Sequence, residues 1–112
     1  MRIDVERPTR GVVLAHVSGE VDILAAPTLR ECIDEHLSGA GGLVLDLDGV
    51  GFLGSSGLSV LVETGTRVAK TELKWAVVAS RHAVTRPLQA TGLDDALPLY
   101  ETVDDAMDAV AA

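Results

Sequence analysis

Ser55 and Ser56 stand between Gly54 and Gly57, directly ahead of Leu58 and a segment with helical apolar spacing. Serine hydroxyls so placed could attack a substrate, receive a phosphate or cap a helix. A nucleophile elbow requires G-x-S-x-G, with glycine two residues away on each side, whereas Gly57 follows Ser56 directly. No residue pair nearby forms a recognisable base and orienter, so hydrolase chemistry is not indicated. The plain structural reading is that one of the two serines caps the helix by accepting a hydrogen bond from an amide left unpaired in its first turn.

Immediately upstream, Gly49-Val50-Gly51-Phe52-Leu53-Gly54 matches G-x-G-x-x-G between a strand and a helix, the setting in which glycines let backbone amides approach a pyrophosphate. The fingerprint also needs an acidic residue at the end of the next strand, which here reads Val77-Val78-Ala79-Ser80. The glycines are therefore expected to serve loop geometry, with a nucleotide-binding protein using the Gly49 to Gly54 loop as a minor alternative. His16, His36 and His82 lack metal-ligand spacing, and no cofactor or metal is expected. Cys32 is the single cysteine; it lies among apolar residues at helical spacing and reads as a buried, inert thiol in a reducing compartment.

The elements that must hold these residues follow from the pattern. In 112 residues, 47% of them apolar, there is room for one compact domain, residues 1–112, with a core mainly of Val, Leu, Ile and Ala. Arg2 to Arg7 alternate and Val12 to Val17 are β-branched and apolar, so the two segments flank a turn at Pro8 to Gly11 as a hairpin, closed by Ser18-Gly19. Leu29, Cys32, Ile33 and Leu37 share a helical face, between Pro27 and the run Gly39, Gly41 and Gly42. A strand over Leu43 to Leu47, a loop over Asp48 to Gly54, a helix and a strand over Lys74 to Ala79 make a βαβ unit. Leu58, Leu61, Val62, Gly65, Val68 and Ala69 trace the helix's apolar stripe. In a helix around Ala83 to Thr91, Pro87 either kinks the helix or marks where it begins, and Gly92 ends it. A short edge strand within Leu97 to Tyr100 and a last helix capped by Thr102 complete the domain.

Charge narrows the function classes. Nine Lys and Arg against seventeen Asp and Glu give a net charge of −8, which repels phosphate backbones and anionic membranes. With Phe52, Trp75 and Tyr100 as the whole aromatic inventory, a base-stacking platform is missing, so no nucleic-acid role is expected. The acidic residues Asp94, Asp95, Glu101, Asp104, Asp105 and Asp108 read as solvated surface. Neither a leader-like apolar stretch nor a run of membrane-spanning length is present in the sequence, so a cytoplasmic location is expected.

Taken in order, Ser18-Gly19-Glu20-Val21-Asp22, Leu45-Asp46-Leu47, Phe52-Leu53-Gly54-Ser55-Ser56-Gly57-Leu58 and Ala90-Thr91-Gly92-Leu93 resemble the bacterial anti-sigma-factor antagonists that carry the STAS domain. The resemblance covers essentially the whole chain. It implies an α/β fold: a mixed sheet of four to five strands packed against about four helices. It also implies a regulatory binding protein rather than an enzyme. Unphosphorylated, such a protein binds an anti-sigma factor that is also a serine kinase and so releases a sigma factor; phosphorylation of the second serine, here Ser56, ends binding, and a phosphatase restores it. Glu20, Asp22, Gly54, Ser55, Ser56 and Gly57 are the partner-binding positions it implies. The family's Asp before the serine pair is Gly54 here, which keeps open a non-phosphorylated scaffold or a transporter-associated adaptor subunit.

Overall fold

A computed structural model describes residues 1–37 and 41–111. The chain runs β1 (Arg2–Thr9), β2 (Val12–Val21), α1 (Ala26–Leu37), β3 (Gly42–Leu53), α2 (Ser55–Val68), β4 (Lys74–Val78), α3 (His82–Ala90), α4 (Leu93–Ala96), β5 (Leu99–Tyr100) and α5 (Val103–Ala111). The five strands form one mixed sheet in the order β1-β2-β3-β4-β5. The opening hairpin is antiparallel and the other three pairings are parallel. At the hairpin turn Gly11 has φ +81, a conformation that side chains with a Cβ rarely adopt.

Each parallel step needs a crossover, and α1, α2 and α3 all pack on one face of the sheet. There Leu29, Ile33, Leu61, Val84 and Leu88 meet Val13, Ala15, Val17, Leu45, Leu47 and Val77. Crossovers of one hand between successive neighbouring strands must fall on one side, so the shared face follows from the strand order. The opposite face is covered by α5 alone, through Ala106 and Val110 against Val12, Leu14, Val44, Ala76 and Val78. Thr102 caps α5 as expected, its hydroxyl accepting from the Asp105 amide at 3.1 Å.

Several expectations change. β3 does not stop at Leu47: it continues to Leu53, so the glycine-rich segment is strand and not loop. β2 likewise runs past Ser18-Gly19 to Val21, pairing Ser18 with Gly49, Gly19 with Val50, Glu20 with Phe52 and Val21 with Leu53 through two register shifts. A Cβ on Gly49 would lie 2.8 Å from Ser18 Cβ and 3.0 Å from the Val17 carbonyl oxygen, so this glycine permits close strand approach. On its β2 side the segment is thus part of the ladder, with Gly51 in a register shift.

The inward stripe of α2 is also rotated from the expected one: Gly57, Val60, Leu61, Thr64 and Val68 are buried, whereas Val62 and Ala69 are exposed. Thr64 is admitted because its hydroxyl donates to the Val60 carbonyl at 2.8 Å. The one-turn α4 was not expected, and α3 runs through Pro87. Gly39 lies outside the described residues. Cys32 is half-buried rather than buried, and burial together with the Glu35 charge raises its thiol pKa, which keeps it protonated and unreactive.

Candidate functional site

β2 and β3 are parallel neighbours, so their C-terminal ends deliver two segments side by side. Val21 pairs with Leu53 as the last residue of each strand, and the next residues are Asp22 and Gly54. The Gly54 amide donates to the Val21 carbonyl at 2.9 Å, fastening the start of α2 to the β2–α1 loop. The sheet thus brings Glu20 and Asp22 together with Gly54, Ser55 and Ser56 at one end of the molecule.

Asp22 is half-buried and does structural duty. Its Oδ1 accepts from the amides of Leu24 at 3.1 Å and Ala25 at 2.9 Å, and its carbonyl accepts from Ala26 at 2.9 Å, which turns the chain into α1. Holding that turn pushes the two intervening apolar side chains outward. Ile23 is 75% exposed and Leu24 84% exposed, the most exposed large apolar side chains in a chain that buries most of its others. Sequence reasoning passed over both. Their signal was an adjacent apolar pair directly after an acidic turn former, outside any helical or strand period.

The N-cap of α2 is Gly54, with φ −84 and ψ 176, and no side chain caps the helix. The expectation that Ser55 or Ser56 caps is corrected: the N-cap position is Gly54, both serines lie inside the first turn, and neither makes a cap hydrogen bond. The first-turn amides are thus left without an intramolecular side-chain acceptor, and the positive end of the helix dipole lies beneath the two serines. Ser55 is exposed and Ser56 half-buried. Phe52, 51% exposed, overhangs the cap: a Cβ on Gly54 would lie 3.1 Å from its Cε2.

Gly57 is not on this surface. It is buried, and a Cβ there would stand 2.7 Å from Leu53 Cδ1 and 2.8 Å from Val21 Cγ1, so its lack of a side chain sets how closely α2 approaches the strand ends. The far side of the site is tied down by ion pairs between α1 and α2, Arg30 Nε to Glu63 at 2.9 Å and Arg67 with Asp34. Beside Asp22 lies an open groove of about 350 Å³, lined by Met1, Glu20, Asp22, Leu24, Ala25 and Thr28. Among the described residues no group of His, Cys, Asp or Glu side chains is arranged to hold a metal, and no helix is long and apolar enough to cross a membrane.

What the assembled surface offers is an apolar pair, an aromatic ring and a hydroxyl at an uncapped helix start, which is binding chemistry. Comparison with known proteins gives the family. Residues 3–106 match the STAS domain family. The chain is 37% identical over 101 residues to the anti-sigma-F factor antagonist RsfB of Mycobacterium tuberculosis, covering 89% of this chain and 82% of that protein. It superposes on the crystal structure of an anti-sigma factor antagonist from Mycobacterium paratuberculosis with a TM-score of 0.90 at 42% identity, covering 99% of this chain and 94% of the other. The fold is also that of the Bacillus antagonist SpoIIAA, with TM-scores of 0.82 for its unphosphorylated form, at 19% identity, and 0.73 for its phosphorylated form, at 18%. Those alignments cover 98% and 96% of this chain and 96% and 97% of the SpoIIAA chains. On its sequence and its fold, the chain belongs to the STAS domain family, among the anti-sigma factor antagonists.

Proposed function

We propose that the chain binds an anti-sigma factor with serine-kinase activity through the end of the molecule formed by the β2–α1 loop and the start of α2, and thereby frees a sigma factor in the cytoplasm. The observation that carries this reading is the exposure of Ile23 and Leu24 beside Ser55 and Ser56. Burying such a pair in a partner's pocket returns roughly 1.5–3 kcal/mol per side chain. Glu20 and Asp22 border the contact, and Gly54 and Gly57 act through the path of the chain.

Ser56 is the phosphate acceptor in this proposal. A phosphoserine carries about −1.5 to −2 charges. At the start of α2 the helix dipole favours that charge by roughly 0.3–1 kcal/mol, so the domain keeps its fold. The same charge beside Asp22, on a chain already at −8, must be stripped of water to enter an apolar interface, which opposes association. Differential binding of the two charge states suffices for the switch, and no large conformational change need be assumed. A phosphatase resets the cycle.

Affinity capture of the tagged chain from its host's lysate with ATP and magnesium, followed by intact mass measurement, tests this. An anti-sigma kinase in the eluate and one added phosphate on the bait, absent from Ser56→Ala, is the expected result. A second reading is favoured by the Phe52 ring above Gly54, where the family carries an acidic residue: a scaffold or transporter-associated adaptor that is not phosphorylated. Capture of such a component with the bait unmodified would decide for it.

A further inference from the structure

The face of the sheet that carries α5 has a polar end that the helix does not cover. One cross-strand row there runs Asp4, His16, Asp46, Val78 and Tyr100, one residue from each strand. His16 Nδ1 lies 2.7 Å from Asp46 Oδ2 on β3, and its Nε2 lies 3.2 Å from Glu6 Oε2 on β1. Neither carboxylate can donate when ionised, so both contacts are hydrogen bonds only if both ring nitrogens carry protons. A neutral imidazole has one N–H and must release one of the two acids.

From this geometry we propose that His16 is a proton-operated clasp, its imidazolium fastening the edge strand β1 to β3 across β2, so that β1 loosens when the ring is neutral. Beyond its antiparallel ladder to β2, β1 has few side-chain ties. Of its residues only Ile3 packs against the core, the others being exposed. The remaining side-chain tie is a 3.5 Å contact between Arg7 and His36 of α1.

The surroundings favour the cation. The Asp46 hydrogen bond raises the His16 pKa most, Glu6 adds to it, and partial burial opposes both without cancelling them. Asp4 faces the ring as its partner in the row and is itself paired with Arg2 at 3.1 Å. Asp48, next on β3, is occupied by the amide and hydroxyl of Ser80 at 2.8 and 3.0 Å. From β4 and α5 this face receives Ala76, Val78, Ala106 and Val110, which do not titrate; from β5 it receives Tyr100. Because the folded-state pKa is raised, the clasp is fully closed below the ordinary histidine value and opens as pH rises through the raised one. Met1, which leads into β1, lines the groove beside Asp22.

Amide hydrogen exchange across β1, corrected for intrinsic rates and measured from pH 6 to 8.5, tests the proposal, with His16 ring resonances followed in the same samples. The opening of Ile3 to Arg7 is expected to rise roughly two- to fivefold, the factor corresponding to a partly exposed ion pair, at the pH where His16 loses its proton. In Glu6→Gln, a change at an exposed position, His16 should titrate at lower pH and the β1 inflection should vanish while β2 and β3 amides keep their protection. His16→Gln should likewise flatten the profile. An inflection in β1 that persists in both variants, or none in the unmodified protein as the ring titrates, overturns the clasp.

Discussion

The amide of Gly54 and the carbonyl of Val21, 2.9 Å apart, join the helix that presents the serines to the loop that presents the exposed apolar pair. That bond and the Val21–Leu53 pairing join the two halves of the candidate site to the strand ends. Substitutions at this junction should therefore read out in stability as well as in binding.

Gly57→Ala isolates the close approach of α2. Alanine is the better helix former by about 1 kcal/mol, so propensity alone predicts stabilisation. Contacts of 2.7 Å to Leu53 and 2.8 Å to fully buried Val21 predict the opposite. Overpacking of this kind costs about 1–3 kcal/mol, and urea unfolding should show a net loss.

Placing an acidic cap by Gly54→Asp should raise the thermal midpoint slightly, since Asp exceeds Gly as an N-cap by only about a few tenths of a kcal/mol and the backbone at Gly54 is ordinary extended chain. Phe52 stands in the way of the new side chain. The gain should be larger in a Phe52→Ala background, and calorimetry on the four-protein cycle would give the coupling.

Two glycines of the G-x-G-x-x-G run should behave oppositely. Gly49→Ala collides with Ser18 and the Val17 carbonyl and should cost about 1–3 kcal/mol, whereas a Cβ on Gly51 meets nothing within 4 Å and should change stability by less than about 0.5 kcal/mol. Equal losses at both positions in chemical denaturation would contradict the ladder-packing explanation.

Ser56→Glu adds a charge where the helix dipole welcomes one, so its unfolding midpoint should lie within about 0.5 kcal/mol of the parent. Binding to an anti-sigma factor, followed by titration calorimetry, should nevertheless weaken at least tenfold. Ile23→Ala with Leu24→Ala should weaken binding without moving stability, because both side chains are already in water.

The hairpin, the βαβ unit, the terminal helix and its Thr102 cap are legible in the sequence because each is a local pattern: alternation, helical spacing, a cap residue ahead of an apolar stripe. β3 is misjudged because its signal is not local. Gly49 and Gly51 have loop composition, and only pairing with β2 through two register shifts makes the segment a strand. The serine pair is a candidate site only through resemblance, and its relation to the helix start is not legible at all, since Gly54 occupies the cap and both serines lie in the first turn. His16 and Asp46 are 30 residues apart and each reads alone as an ordinary polar interruption. Their meeting depends on strand register, which one sequence does not specify.

The strand order β1-β2-β3-β4-β5 is also the order of synthesis. Every strand pairs with its immediate predecessor, so no strand must wait for a later one to be threaded between it and its neighbour. A chain emerging from its N-terminus can add one strand at a time to an existing edge, with each crossover helix closing over the pair just made. Contacts that stay this near in sequence keep loop-closure costs low and folding fast for a mostly parallel sheet. The exception is α5, which must arrive last to cover Val12, Leu14 and Val44. Until α5 is made, the apolar part of that face lies uncovered, and transiently exposed apolar surface of this kind is prone to aggregation.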